Sequence, residues 1–328
     1  MSAMIFKRIQ TVLALLLVGS VSMLADGGDP FPDVDYHQWQ NTMTITGKVR
    51  LNGVELKDEA IVTAYYHDEI RGKQQVKANG YLYLSIGGAA EDAGIPLHFK
   101  VFTGSSIVEV DQGLEYVWNE KVGSYADPYI INLTVVTTNT SAEGWATTCL
   151  PYNAIVPEGV TVYAVKEYSD GAFQLAAAVT TGTSILPKDT PVLLKSEGQT
   201  SYEWLSRVAD GDVAVGTNIL QGTTEEKTVE AESVLTLGHS NDAQRYIGFW
   251  LFEGTVIPAC RAYMSKDVIP STSRGAVFNW KDETTGVGGS PLWTDGVDAL
   301  SVQGFDLQGR PFSGKGLKII NGKKCIVR

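Results

Sequence analysis

Met43-Thr44-Ile45-Thr46-Gly47-Lys48-Val49-Arg50-Leu51-Asn52-Gly53-Val54-Glu55-Leu56 is the stretch from which the fold class is read. Met43, Ile45, Val49 and Leu51 alternate with Thr44, Thr46, Lys48 and Arg50, the period-two pattern of a half-buried strand. Asn52-Gly53 interrupts it, and Val54-Glu55-Leu56 resumes the alternation. A type I′ turn needs positive φ at both central residues, which Asn-Gly accepts at low cost. The stretch therefore predicts a tight hairpin.

The same grammar extends outward. Ala60–Tyr66 predicts a third strand, and Asn79-Gly80 turns the chain into Tyr81-Leu82-Tyr83-Leu84-Ser85-Ile86. Leu97, Phe99 and Val101 point one way in the next strand, with His98 and Lys100 opposite. Further strands are expected at Leu114–Trp118 and Pro128–Val136. Short strands between Gly, Asn and Asp turns predict a sandwich, here a first β-sandwich domain over 39–136. Thr137-Thr138-Asn139-Thr140-Ser141 is polar and aperiodic, and reads as a boundary.

A second β domain follows over 142–283, restarting at Trp145–Leu150 and Val160–Val165. Only Thr223–Ser233 is ambiguous between helix and strand. This region repeats itself. Ile185-Leu186-Pro187 before Pro191-Val192-Leu193-Leu194-Lys195 matches Val256-Ile257-Pro258 before Ala262-Tyr263-Met264-Ser265-Lys266 when Pro187 is laid on Pro258. Proline removes a ladder donor and belongs at the start or edge of a strand, so both copies read as strand–Pro-turn–strand units. Thr284-Thr285-Gly286-Val287-Gly288-Gly289-Ser290-Pro291 lies in a linker over 284–298. The fold expectation is all-β: two sandwich-like domains and a short C-terminal hairpin module over 299–328.

The chain ends predict an address. Lys7 and Arg8 precede an apolar run from Val12 to Ala25, which stops at Asp26-Gly27-Gly28-Asp29-Pro30. A spanning helix needs about 20 apolar residues, so the run reads as a cleavable leader over 1–25. Cleavage is expected after Ala25, with a cut after Ser22 as the alternative. No Cys follows the run to carry a lipid, and no later segment is apolar for long enough to span a bilayer. An acidic linker over 26–38 comes next. At the other end, Arg310, Lys315, Lys318, Lys323, Lys324 and Arg328 face only Asp306, against a whole-chain charge of −11. That negative balance argues against nucleic acid, which needs clustered Lys and Arg. Asn321-Gly322 predicts a second tight hairpin between Leu317–Ile320 and Cys325–Val327.

Phe305-Asp306-Leu307-Gln308-Gly309-Arg310, followed by Gly316-Leu317-Lys318-Ile319-Ile320-Asn321-Gly322-Lys323-Lys324, resembles the C-terminal type IX secretion sorting domain of Bacteroidetes secreted proteins. The motif positions are Asp306, Leu307, Gln308, Gly309, Arg310, Gly316, Asn321, Gly322, Lys323 and Lys324. Lys318 stands where the family has an aromatic, and Cys325 where it has Val. The body resembles recurrent modules of the same group at Met43-Thr44-Ile45-Thr46, at Arg71-Gly72, and at Gly144-Trp145-Ala146-Thr147-Thr148-Cys149-Leu150-Pro151-Tyr152. The resemblance implies export through the inner membrane by the leader. Passage through the outer membrane would follow, with the outer-membrane secretion machinery as the tail's partner. It implies a place on the cell surface or in the medium of a Gram-negative bacterium, and no particular reaction.

No catalytic constellation is legible. His37, His67, His98 and His239 are scattered, and GxSxG, HExxH and Walker motifs are absent. Glu91-Asp92, Glu225-Glu226 and Asp282-Glu283 read as solvated loop charge. Asp26, Asp29, Asp33 and Asp35 supply oxygen ligands, yet Pro30 and Pro32 interrupt them and no EF-hand spacing appears. Cys149, Cys260 and Cys325 have no zinc spacing. Buried free thiols are the favoured state, and a Cys149–Cys260 disulfide the alternative in an oxidising compartment. The expectation is a non-enzymatic protein with no catalytic, cofactor or metal residues, acting in interaction or adhesion on a host, matrix or glycan ligand. A carbohydrate-binding protein that assists polysaccharide use is the alternative; a fimbrial subunit or a cryptic hydrolase ranks lower. Trp39, Trp118, Trp145, Trp204, Trp250, Trp280 and Trp293 carry the carbohydrate reading, with Trp145 and Trp250 expected in the core.

Overall fold

The computed structural model describes residues 28–178, 180, 182–240 and 245–279, and the backbone of 304–305, 311–312, 316–320 and 323–327. The leader and its cut at Ala25, Asp282-Glu283, Trp280, Trp293 and the linker lie outside these residues. The fold is all-β, with three short 3-10 turns and no α-helix among the described residues. Two compact units meet between Thr134 and Val135.

The first unit is a sandwich-like pair of sheets. One sheet holds β1 (Asn41–Leu51), β2 (Val54–Glu55) and β5 (Leu82–Gly88), with β8 (Lys121–Val122) and β9 (Tyr129–Leu133) parallel to β1. The other runs β4 (Glu69–Gln75), β3 (Ile61–Tyr66), β6 (Pro96–Phe102), β7 (Ile107–Glu115). The opening hairpin forms as its sequence dictates: Leu51 faces Val54, and Asn52 and Gly53 adopt φ of 49° and 83°. Met43, Ile45 and Val49 are buried on the inner side of β1, as are Leu82, Leu84 and Ile86 on β5. Thr44, Thr46 and Lys48 stay partly exposed on the other side of β1.

Two expectations for this unit are corrected. Leu114–Trp118 is not a strand of its own; its first residues end β7, whose mixed sequence Ile107-Val108-Glu109-Val110-Asp111-Gln112 hid the strand. The segment read as an acidic linker is tied down. Phe31 is buried, and the Lys73 ammonium holds Asp29 and Asp33 at 2.8 and 2.7 Å.

The second unit contains a nine-stranded sheet and a duplication larger than the sequence echo. Its first half comprises β11 (Trp145–Thr148), β12 (Ala154–Ile155), β13 (Val160–Ser169), β14 (Ala172–Ala177), β15 (Ile185–Leu186) and β16 (Val192–Ser196). Its second half comprises β18 (Gln221–Thr223), β19 (Lys227–Thr228), β20 (Val234–His239), β21 (Ile247–Leu251), β22 (Val256–Ile257) and β23 (Arg261–Ser265). The pairings β11–β16, β12–β15, β13–β14 and β13–β16 recur as β18–β23, β19–β22, β20–β21 and β20–β23. Turns repeat too: Asp189 and Cys260, each two residues past its proline, both take positive φ, 57° and 56°. The halves join through β24 (Gly275–Asn279), parallel to β14 and antiparallel to β21.

Each half has two apolar faces. The shared one gathers Trp145, Val165, Phe173 and Leu193 with Leu235, Phe249, Ala262 and Met264. The other face of the first half carries a second core around Trp204. Trp204 comes from β17 (Ser201–Trp204), which pairs with β10 (Val136–Asn139). The units divide at Thr134 and Val135, just before the polar run read as a boundary, but the run itself is not an aperiodic linker. Thr137, Thr138 and Asn139 form a strand, because β-branched Thr suits the pleat and buried Thr138 accepts the Trp204 Nε1–H at 3.0 Å. The ambiguous stretch Thr223–Ser233 contains β19 and turns, with no helix.

In the tail, β25 (Gly304–Phe305), β26 (Pro311–Phe312), β27 (Gly316–Ile320) and β28 (Lys323–Val327) form a four-stranded sheet of their own. Ile320 faces Lys323, so β27 and β28 pair antiparallel as the expected hairpin requires; Asn321-Gly322 lies outside the described residues.

Candidate functional site

Two places concentrate chemistry, one in each unit. In the second unit a cleft of about 390 Å³ opens beside β11, lined by Trp145, Thr147, Leu237, His239, Pro258 and Arg261 among others. It exists because β11 meets β23 without ladder pairing. The bridging bonds come from side chains: Thr147 Oγ1 accepts the Ala262 N–H, and Arg261 donates to the Thr147 carbonyl, both at 3.3 Å. His239 Nε2 lies 3.1 Å from Glu143 Oε1. The Glu143 carboxyl is held below its ordinary range by its own backbone N–H first, then by His239 and Ser141. His239 also lines a neighbouring cleft of about 480 Å³ with Trp250, Glu253 and Arg274. The Trp250 indole N–H is buried there with no partner among the described residues, and the ring is only partly covered, so Trp250 is not the core residue expected. Trp145 is, at 3% exposure. The partner of the imidazole is a carboxylate, and such a pair can orient a polar ligand.

In the first unit the outward face of the β1–β5 sheet carries stacked tyrosines. Tyr81 and Tyr125 lie face to face, centroids 4.5 Å apart and planes 10° apart; Tyr83 runs nearly parallel at 6.2 Å and 19°. Tyr81 Oη donates to the Tyr125 carbonyl, and the Lys48 ammonium sits 5.0 Å from the Tyr81 centroid while paired to Glu55. Alternation puts Tyr83 outward between buried Leu82 and Leu84, opposite Thr46 on β1. The carbohydrate expectation rests on tryptophans, and these tyrosines are not among them. The signal was present as Tyr81-Leu82-Tyr83-Leu84, an alternation whose outer members are aromatic rather than polar.

Other singled-out residues serve structure. Arg71 is buried between Trp39 and Tyr66, its guanidinium 5.1 and 4.8 Å from the ring centroids, and pairs with Glu69 and Asp92. Asp92 also accepts the Ala89 N–H, so it is not the free solvated charge expected for Glu91-Asp92. His98 stacks on Tyr65, and burial, then Lys100, lowers its pKa. Cys149 and Cys260 are free thiols. Burial, then Asp189 and Cys260, push Cys149 up to about 11. No group of three or more His, Cys, Asp and Glu side chains is placed to hold a metal ion among the described residues. Nor is any helix there long and apolar enough to cross a membrane. Of the tail motif, Gly316, Lys323 and Lys324 fall in β27 and β28; Asp306, Leu307, Gln308, Gly309, Arg310, Asn321 and Gly322 lie outside the described residues.

By fold, then, the chain is an all-β protein of two compact units, the second internally duplicated. No family model, no curated protein and no solved structure matches it.

Proposed function

We propose that this chain is an exported, non-enzymatic binding protein of the cell surface or the medium of a Gram-negative bacterium, sent there by its C-terminal tail. The observation that carries the reading is the tail's sheet: among the described residues β25, β26, β27 and β28 pair with one another and with no other strand, in a segment whose charge is opposite to that of the body. A sorting element must be recognised apart from its cargo, and a self-paired basic sheet after a Gly-rich stretch has the required separateness. The leader supports the same direction of travel, since a cationic start and a short apolar run suit a translocated, cleaved segment. Two β units with exposed aromatic and cleft surfaces fit a protein that holds a ligand rather than transforms one. The test is removal of everything after Ala299 followed by fractionation. The shortened protein should fold and accumulate in the periplasm, and normal arrival at the surface would refute the sorting role.

A further inference from the structure

We infer that the Tyr81–Tyr83–Tyr125 face of the first unit is a binding site for a neutral glycan, taken up by stacking of pyranose rings on the exposed tyrosines. This rests on the reading of the chain as an exported binding protein and names its ligand class. A pyranose with equatorial hydroxyls presents C–H bonds on its faces and hydroxyls around its rim. Such a ligand needs an aromatic plane bordered by short hydrogen-bonding groups, and this face supplies both. Tyr125 is 68% and Tyr83 44% exposed, although large aromatic rings ordinarily go inside. Around them stand Thr44, Thr46 and Ser85, all partly exposed, with Ser85 opposite Thr44 and Tyr83 opposite Thr46.

The rings are also held in advance of any ligand. Tyr81 is the fixed base: its hydroxyl is tied to the Tyr125 carbonyl, and its ring is stacked by Tyr125 and approached by Lys48. Tyr125 sits in a closed turn, where the Ser124 N–H donates to the Asp127 carbonyl at 2.8 Å and the Asp127 N–H to Ser124 Oγ at 3.0 Å. Preorganisation of this kind lowers the ordering cost of binding. A protein partner would call for a broader apolar centre than these rings set among threonines offer. An acidic polysaccharide fits poorly, because Lys48 is already neutralised by Glu55 at 2.9 Å and the chain carries a charge of −11.

The experiment is native gel retardation of the purified exported protein in gels containing laminarin, xyloglucan, yeast mannan or, as the acidic comparison, alginate. At least one neutral polysaccharide should retard the protein and alginate should not. Tyr125→Ala and Tyr83→Ala should each weaken that retardation roughly tenfold or more, as loss of a central aromatic anchor does. Trp118→Ala, which removes an exposed aromatic outside the stack, should leave it unchanged. Should Tyr83→Ala fail to fold, Tyr83→Leu keeps the volume and removes the aromatic plane. Absence of retardation by every neutral polysaccharide overturns the inference, and so does retardation that survives the Tyr83/Tyr125 double substitution. Retardation by alginate alone, or self-association without glycan binding, overturns it too. Failure of the export reading would show in cell fractionation and leave these gels untouched.

Discussion

Substituting Thr138 by Val tests whether the polar run at 137–139 is a working part of the second unit. Val keeps the branched shape and removes the hydroxyl that accepts the Trp204 Nε1–H at 3.0 Å. Thr138 is 2% exposed and Trp204 fully buried, so water cannot take the vacated place. Leaving the indole N–H unsatisfied should cost about 1–3 kcal/mol. A unit of this size loses about 2–4 °C of Tm per kcal/mol, so calorimetry resolves the change. Trp204→Phe alone removes the donor and orphans the hydroxyl, at a similar cost plus a small cavity. In the Trp204→Phe background Thr138→Val should then be almost neutral, with a coupling of about 1–2 kcal/mol in the double-mutant cycle. Trp204→Ala, which empties the core, should cost about 3–5 kcal/mol. If Thr138→Val shifts stability by less than about 0.5 kcal/mol and adds independently to Trp204→Phe, the strand pairing is wrong and the segment is the linker its composition resembles.

Gly222→Ala would place a Cβ 2.3 Å from Cys149 Sγ, where β18 comes against the residue after β11; urea unfolding should show about 1–3 kcal/mol of destabilisation, partly relieved by Cys149→Ala. His98, whose folded pKa lies below its ordinary value, binds its proton more readily in the unfolded chain. The stability of the first unit should therefore fall as pH drops below the unfolded value through the folded one, and His98→Gln should flatten that slope; an unchanged slope would contradict the burial argument. With its thiol pushed up to about 11, Cys149 should alkylate far more slowly at pH 8 in the native protein than after denaturation, read by intact mass in a background that carries both Cys260→Ser and Cys325→Ser. Fast native labelling of Cys149 would contradict its burial.

The all-β class was legible because period-two runs and Asn-Gly turns are local signals. The Asn52-Gly53 hairpin and the Ile320/Lys323 pairing stand where the sequence placed them. The duplication was visible only at Pro187 and Pro258, since most of the other paired strands keep their pairing but not their side chains: Thr148, opposite Val192, corresponds to Gln221, opposite Tyr263. The strand at Val136–Asn139 escaped because its apolar cover comes from Trp204, far along the chain. The Asp92–Arg71 pair and the His239–Glu143 pair were invisible for the same reason: burial and pairing are set by tertiary neighbours. The stacked tyrosines were half legible, with Tyr81 and Tyr83 in one alternating strand and Tyr125 delivered by a distant turn.

The decisive measurement is the location and intact mass of the protein in its own bacterium, with and without residues 300–328. The complete chain should be found outside the outer membrane, lighter by its leader, while the shortened one stops between the two membranes in folded form. An unprocessed full-length chain dissolved in the cytosol, or equal export of both forms, would contradict the account at its root.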